Sequence, residues 1–283
     1  MLFAVKHGVP IFVKMSRDET LWPQLLKESV TEVDPEAAAQ IICEVWPGED
    51  TRTEELVSQA DAVIAYGSDA TIERLKGLSS EKSFLGFGHA LSIGIMTTGG
   101  MIEPFATDIL SFDQQGCLSP QSIFVEGNSH AVIALSASLA AYLKQEAATL
   151  EVSPRVDRAQ AWKIREAVEL ASMGPRKVLF EESLRWAVIQ HFAGDSELPV
   201  PTGFGVVHLI PIADITDFGQ FLGIARGQLS CVGVAGELTP ELQAAIEGEG
   251  VSRVCKAGEM QTPPLDWKNG GVDLEAWIAK LER

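Results

Sequence analysis

The chain has 283 residues, 46% of them hydrophobic, which is enough to bury the core of one large domain or two smaller ones. Its net charge of −17 repels polyanions, so we expect no binding of nucleic acid. The sequence lacks a signal-peptide pattern and any apolar run near the ~20 residues of a membrane span. We therefore expect no membrane span and predict a cytoplasmic location.

The cysteines give little evidence of a metal centre or a disulfide framework. The four of them, at positions 43, 117, 231 and 255, are far apart and form no CxxC pair. A zinc knuckle or a redox dithiol is therefore not expected, and we predict no metal site. Their free state suits a reducing compartment.

The first eight residues, MLFAVKHG, predict the last turns of a helix that Gly8 closes in the left-handed conformation. Chains seldom begin in the middle of a helix. We therefore expect that structure upstream of Met1 is missing.

Strands and helices then alternate as far as residue 76. The predicted strands are 9–13, 40–46 and 62–66, and the predicted helices are 20–30, 51–60 and 67–76. Thr20 and Thr51 are expected to cap the first two of these helices. The alternation predicts a parallel sheet with right-handed crossovers, which is half of a nucleotide-binding type of sheet.

The rest of the chain also predicts an α/β structure. The glycine-rich segment FLGFGHALSIGIM predicts one strand with close backbone approaches. A long helix is expected to begin at Asn128 or Ser129. Further strands are predicted at 122–126, 205–210 and 229–234, and further helices at 158–173, 178–192, 218–226, from Thr239, and at 274–281.

The segment Phe112–Pro120, FDQQGCLSP, contains the best candidate for a nucleophile. Cys117 lies in a loop between two apolar strands, and Gly116 permits a close backbone approach. A nucleophilic thiol needs access and amide groups directed at the oxyanion that forms. Without other evidence, a lone cysteine is more often a small hydrophobic residue of the core.

The segment FDQQGCLSPQSIFVE closely resembles the active-site segment of the acyl-CoA reductase family, which includes the fatty acyl-CoA reductases of bacterial bioluminescence. Those proteins are similar to aldehyde dehydrogenases. Further matches follow in the same order along the chain: GVPIFVKMSRDE, VWPGED, AYGSDATIERL, GFGHALS and GEMQTPPLDWKNGG. The resemblance implies an aldehyde dehydrogenase-like α/β fold, with a partial cofactor-binding parallel sheet and an α/β catalytic domain.

On this basis the chain is divided into three parts. Residues 1–83 are interpreted as a partial dinucleotide-binding domain and 84–252 as the catalytic domain with its nucleophilic cysteine. Residues 253–283 are expected to pack back on the core. Met260, Pro263 and Trp267 of this tail either line an acyl channel or pack on the core.

The resemblance also implies a dinucleotide site. Lys14 and Ser16 match the turn that binds the adenosine end of the cofactor, and Gly67 and Ser68 match a strand-to-helix turn suited to pyrophosphate. Arg17 stands where relatives that prefer NAD have an acidic residue. Because arginine can pair with a 2′-phosphate, we predict NADPH as the cofactor, with NADH as the alternative. Ordinary surface charges and plain helix capping are the competing interpretations.

One difference from the aldehyde dehydrogenases affects the reaction that we predict. Hydrolytic aldehyde dehydrogenases have a water-activating glutamate where this chain has Leu85, Gly86 and Phe87. Without that base, exchange with a thiol is expected in place of hydrolysis. His89 lies nearby and could transfer a proton at neutral pH, but we interpret it as a structural or solvent-facing residue.

The reaction implied is NADPH-dependent reduction of a fatty acyl-CoA or acyl-protein thioester to the aldehyde, through a thioester on Cys117. Two alternatives stay open: a non-catalytic or partner-dependent C-terminal fragment of such an enzyme, and a cysteine acyltransferase that uses no nicotinamide. The resemblance implies an upstream asparagine that completes the oxyanion hole. The expected partners therefore include a second copy of the chain or a separate N-terminal segment.

Overall fold

The structure is a computed structural model that describes residues 1–17, 19–79, 83–149, 158–174, 176–194 and 198–281. The chain forms two compact units, Met1–His89 with Gly271–Arg283, and Ala90–Gly270. The elements of the first segment are α1 (Leu2–Lys6), β1 (Ile11–Met15), α2 (Leu21–Val33), α3 (Pro35–Ala39), β2 (Ile41–Val45), α4 (Arg52–Gln59), β3 (Ala62–Tyr66), α5 (Asp69–Leu78) and β4 (Ser83–Phe87).

The first unit contains the predicted alternation of strands and helices, with a different pairing of the strands. Strand β1 pairs with β2 and strand β3 with β4, both in parallel. The described residues therefore form two separate pairs of strands, where we predicted one sheet. Alternation predicts the direction of the strands but not which strands are neighbours.

The caps of two helices differ from the prediction. Thr20 and Thr51 both have helical backbone angles, and their side chains accept no capping hydrogen bond. Glu19 Oε1 instead accepts from Leu21 N at 2.9 Å, and Asp50 Oδ1 accepts from Arg52 N at 3.0 Å. A hydroxyl reaches the first-turn amides only from an extended backbone, which neither threonine has.

The second unit contains a seven-stranded sheet. Its elements are β5 (Leu91–Met96), α6 (Phe105–Leu110), β6 (Pro120–Glu126), α7 (Ser129–Thr149), α8 (Arg158–Met173), β7 (Val178–Phe180), β8 (Ala187–Gln190), β9 (Val206–Ile212), β10 (Leu229–Ala235), α9 (Pro240–Gly248) and β11 (Arg253–Lys256). The strand order is β11-β10-β5-β6-β9-β8-β7. All neighbours pair in parallel except β7 and β8.

Two layers cover this sheet. On one face, Phe105 of α6 and Val132, Leu139 and Leu143 of α7 belong to one buried cluster. On the other face, Phe218 and the α9 residues Leu242 and Ile246 belong to another. Side chains of β6, β9 and β10 are buried on both faces, as is typical of central parallel strands.

Two predictions of secondary structure were wrong. Residues 178–192 form the antiparallel strands β7 and β8 instead of a helix. The turn between them contains Leu184 with φ +56° and an ion pair between Arg185 and Glu181. The segment FLGFGHALSIGIM forms two strands, β4 and β5, which belong to different sheets and different units.

The chain ends with α10 (Leu274–Ala279), which belongs to the first unit together with α1. Lys6 Nζ of α1 donates to Glu275 Oε1 of α10 at 2.5 Å. Among the described residues, every helix is too short or too polar to cross a membrane. The α/β fold class is confirmed.

Candidate active site

Cys117 lies in a turn, residues 116–119, that leads into β6, the middle strand of the large sheet. We call residues 116–119 the nucleophile turn. Ser119 N donates to Gly116 O at 3.0 Å, which closes the turn. Cys117 is a free cysteine and is exposed to solvent. The thiol is therefore accessible to a reactant from outside the protein.

The backbone before the turn has an unusual conformation. Phe112, Asp113 and Gln114 have φ values of +54°, +54° and +57°. Few residues other than glycine adopt a positive φ, and three in succession store strain that surrounding contacts must offset. Strained backbone of this kind is concentrated at functional sites.

Gln114 supplies several of those contacts. Its side chain is buried, and its Nε2 donates to Pro120 O at 2.8 Å and to Val206 O at 3.0 Å. Phe204 N also donates to Asp113 O at 3.0 Å. The strained segment is thus attached to the first residues of β6 and β9.

The nucleophile turn also has unused hydrogen-bond donors. In the described part of the chain, no group accepts from the N–H of Cys117 or of Leu118. Amides beside a nucleophile can stabilise the negative oxygen that forms when it attacks a carbonyl. The turn therefore provides a thiol and two adjacent amide donors.

The segment 258–262, which we call the tail segment, contacts the nucleophile turn. Gln261 Nε2 donates to Ser119 Oγ at 3.0 Å. A Cβ added at Gly116 would lie 3.3 Å from Gln261 Oε1, so a larger residue at 116 would push against this glutamine. Met260 is fully buried in the core, which favours packing over the alternative of an acyl channel.

Asp108 and Arg253 hold the tail segment from two sides. The buried carboxylate of Asp108 accepts from Gly258 N at 2.5 Å and Met260 N at 3.0 Å. Arg253 donates to Met260 O at 2.6 Å and to Glu259 O at 2.8 Å. Burial raises the pKa of Asp108 to about 6, although the two amide hydrogen bonds oppose that shift. Sequence reasoning assigned no role to either residue.

The predicted cofactor residues all lie in the first unit, at carboxyl ends of strands. Lys14 is in β1, and Ser16 and Arg17 are exposed just beyond it. Gly67 and Ser68 are exposed just beyond β3. Since β1 and β3 belong to separate pairs, the strand pairing places these residues at the ends of two different sheets.

Local hydrogen bonds already occupy part of the Gly67-Ser68 turn. Ser68 Oγ caps α5 by accepting from Thr71 N at 3.3 Å, as the competing interpretation predicted. Gly67 N donates to Phe87 O at 3.2 Å. An anion at this turn would therefore meet the first-turn amides of α5 instead of the amide of Gly67.

The loop after β4 is held by a carboxylate from α5. His89 N donates to Asp69 Oδ1 at 3.0 Å, and this bond is the main reason why the pKa of Asp69 is lowered. The His89 side chain is 72% exposed, which agrees with the solvent-facing interpretation. The residues of β4, SFLGF, include no carboxylate.

The family model of the acyl-CoA reductases, described as "Acyl-CoA reductase (LuxC)", matches residues 4–275. The chain belongs to this family. It is 26% identical over 257 residues to a long-chain acyl-protein thioester reductase of Vibrio harveyi. That alignment covers 87% of the chain and 52% of the relative, so the chain spans about half the length of this relative.

Solved aldehyde dehydrogenases have the same fold. An indole-3-acetaldehyde dehydrogenase in complex with NAD⁺ has a TM-score of 0.72 at 12% identity, covering 95% of this chain and 58% of its own. A putative aldehyde dehydrogenase of Burkholderia cenocepacia has a TM-score of 0.70 at 14% identity, covering 96% and 62%. The predicted aldehyde dehydrogenase-like fold of this acyl-CoA reductase family member is confirmed.

Proposed function

We propose that this chain reduces a fatty acyl thioester to the aldehyde, with Cys117 as the nucleophile. The observation that carries the proposal is the nucleophile turn just before the central strand β6, where an exposed thiol lies beside two amides that have no acceptor among the described residues. The family membership supports reduction of an acyl thioester, and an exposed thiol is a suitable acceptor for the acyl group.

In the first step, the Cys117 thiolate attacks the carbonyl carbon of the acyl thioester. The new carbon–sulfur bond forms first and moves the carbonyl electron pair onto oxygen; collapse of this tetrahedral intermediate breaks the old carbon–sulfur bond, and the substrate thiol leaves as its thiolate and takes up a proton. The Cys117 and Leu118 amides are placed to donate to the carbonyl oxygen while it carries negative charge. The acyl group is then a thioester on Cys117.

In the second step, the acyl group is reduced. When bound, a reduced nicotinamide would supply the hydride that the acyl carbon needs for this reduction. Release of the aldehyde then returns the thiolate of Cys117. The residues of β4 include no carboxylate where hydrolytic relatives have their base, so we expect reduction of the thioester in place of hydrolysis.

The substrate is a thioester of coenzyme A or of a protein. The Vibrio harveyi relative is named for a long-chain acyl-protein thioester, which favours a fatty acyl group. We propose NADPH as the hydride donor. Lys14 and Ser16 would contact its ribose, Arg17 would pair with the 2′-phosphate, and the Gly67-Ser68 turn would receive the pyrophosphate.

The test follows the absorbance of NADPH in the presence of a long-chain acyl-CoA. Cys117→Ala should lower the rate at least about 10³-fold, because no other group takes over the role of the nucleophile. Cys43→Ala, which removes another free thiol, should change the rate less than about twofold.

The outcomes separate the competing functions. Equal rates for the wild type and Cys117→Ala would rule out Cys117 as the nucleophile. Acylation of Cys117 without any oxidation of NADPH would favour the acyltransferase alternative. Turnover that appears only after a second polypeptide is added would favour the partner-dependent fragment.

A further inference from the structure

Ser92 occupies an irregular position in the middle of the large sheet. Along β6, the pairing passes from Ser92↔Pro120 to Ile93↔Ser122, so Gln121 is an extra residue. Along β10, the pairing passes from Leu91↔Leu229 to Ser92↔Cys231, so Ser230 is extra. Both neighbouring strands are therefore irregular beside Ser92, and such irregularities leave backbone groups without ladder partners.

The hydroxyl of Ser92 binds one such backbone group on each side. Its side chain is buried, with only 1% of the residue exposed. Ser92 Oγ donates to Cys117 O at 2.6 Å and accepts from Cys231 N at 3.1 Å. One hydroxyl thus joins the backbone of the candidate nucleophile to a strand on the far side of β5.

This contact fixes the direction of one amide of the nucleophile turn. The peptide between Cys117 and Leu118 is planar and trans, so its N–H points opposite to its C=O. Because Ser92 holds the C=O of Cys117, the N–H of Leu118 is directed away from Ser92 and β10. Leu118 N is one of the two amides that have no acceptor in the described residues.

We propose that Ser92 is a positioning residue for acyl transfer to Cys117. It acts through the Cys117–Leu118 peptide, whose N–H it directs at the carbonyl oxygen of the acyl group. This inference rests on the proposed function, since it assumes that the turn binds an oxyanion.

Ser122 provides a matched control. It is a fully buried serine on β6, and its Oγ has no hydrogen-bond partner among the residues described. Ser122→Ala therefore removes a buried hydroxyl from the same sheet without removing a contact to the nucleophile turn. Ser92→Thr keeps the hydroxyl and tests whether a hydroxyl at this position is enough to maintain the acylation rate.

The experiment measures single-turnover acylation of Cys117 by a long-chain acyl-CoA, with the acyl adduct quantified by intact mass. Ser92→Ala should lower the limiting rate constant about 10- to 100-fold, because a misdirected amide stabilises the transition state less. The acyl-CoA concentration at half-saturation should be unchanged, because that amide does not contribute to binding of the substrate. Ser92→Thr and Ser122→Ala should stay within about threefold of the wild type. Circular dichroism and thermal unfolding establish that each variant is folded.

A folded Ser92→Ala variant that is acylated at the wild-type rate would overturn the proposal, as would a folded Ser92→Thr variant as slow as the alanine variant. If Ser92→Ala does not fold, the acylation rate of Ser92→Thr decides whether the proposal stands. A rate within about threefold of the wild type supports the proposal, and a tenfold or larger loss overturns it.

A second reagent separates this inference from the proposed function. Alkylation of Cys117 by iodoacetamide needs no acyl site but responds to the amide dipoles around the thiolate. Wild-type protein that is alkylated but never acylated would contradict the proposed function. The Ser92 inference would then be judged by alkylation, where Ser92→Ala should be at least about threefold slower than Ser122→Ala.

Discussion

At the scale of single residues, the sequence indicates Cys117 as the candidate nucleophile but does not indicate the residues that hold its turn in place. The motif FDQQGCLSP marks the cysteine because glycine, serine and proline surround it within nine residues. Ser92 and Gln261 contact the motif across 25 and 142 residues of sequence, and Gln114 within the motif donates to Val206, 92 residues further along the chain. Contacts between residues so distant in sequence depend on the sheet order, which periodicity does not reveal.

Cys231 and Cys255 give a second example of a contact that the sequence did not predict. The absence of a CxxC pair led us to expect no dithiol. In the structure Cys231 Sγ and Cys255 Sγ lie 3.7 Å apart on the adjacent strands β10 and β11. The pairing of parallel strands brings these residues together, and their separation in sequence gives no sign of it.

Arg17 carries the prediction of cofactor choice. An exposed guanidinium can form paired hydrogen bonds with a 2′-phosphate, which NADH lacks. Arg17→Ala should raise the KM for NADPH about tenfold, and it should leave the KM for NADH within about twofold. Arg165→Ala, which removes an exposed arginine from α8, is the control. Equal effects on both cofactors would show that Arg17 does not contact the phosphate.

The buried His191–His208 pair predicts a dependence of stability on pH. His191 Nε2 lies 2.9 Å from His208 Nδ1, and burial lowers the pKa of His208 from 6.5 to about 3. Between these values the unfolded chain binds a proton at this histidine that the folded chain does not. The stabilisation by neutral His208 is therefore complete above pH 6.5 and is lost as the pH falls towards 3.

Urea unfolding of the wild type and His208→Gln at a series of pH values measures this effect. The difference in unfolding free energy should shrink by up to about 1.4 kcal/mol per pH unit between pH 6 and pH 4. Asp108, whose raised pKa acts in the opposite direction over part of this range, contributes equally to both proteins. A difference that is constant with pH would show that His208 is protonated in the folded state.

At the scale of elements, the tail segment depends on Asp108. Replacement by alanine leaves the N–H groups of Gly258 and Met260 without their acceptor. Asp108→Ala should lower the free energy of unfolding by about 1 to 3 kcal/mol, since unsatisfied amides are costly in the protein interior. Asp266→Ala, a change at an exposed position further along the tail, should alter it by less than about 0.5 kcal/mol. Urea denaturation compares the two, and equal stabilities would contradict the role given to Asp108.

Element type and bounds were predicted correctly for one long helix and one short strand. The helix at 158–173 and the strand at 62–66 were predicted with the observed bounds. The segment 178–192 failed because two short apolar runs separated by six residues also fit the length of one helix. What decides between these structures is the neighbouring strand β9, which pairs with β8.

At the scale of the whole molecule, the two units differ in burial. In the second unit, strands β6, β9 and β10 consist of buried residues, apart from partly buried Glu126. In the first unit, strands β1 to β4 are mostly partly buried or exposed. The division into cofactor and catalytic domains remains a prediction, but its parts should differ in local stability.

Native-state hydrogen exchange measures that difference. The amides of β6, β9 and β10 should exchange most slowly, because exposing them requires unfolding of the central sheet. The amides of β1 to β4 should exchange faster, through local opening of pairs of strands. Slower exchange in the first unit than in the central sheet would contradict this ranking.

Covalent capture of the acyl group tests the central claim most directly. The protein is incubated with a long-chain acyl-CoA in the absence of nicotinamide, and its intact mass and proteolytic peptides are measured. The account predicts one added acyl group on the peptide that contains Cys117, released by hydroxylamine and absent from Cys117→Ala. An acyl group on another residue, or acylation that persists in Cys117→Ala, would contradict it.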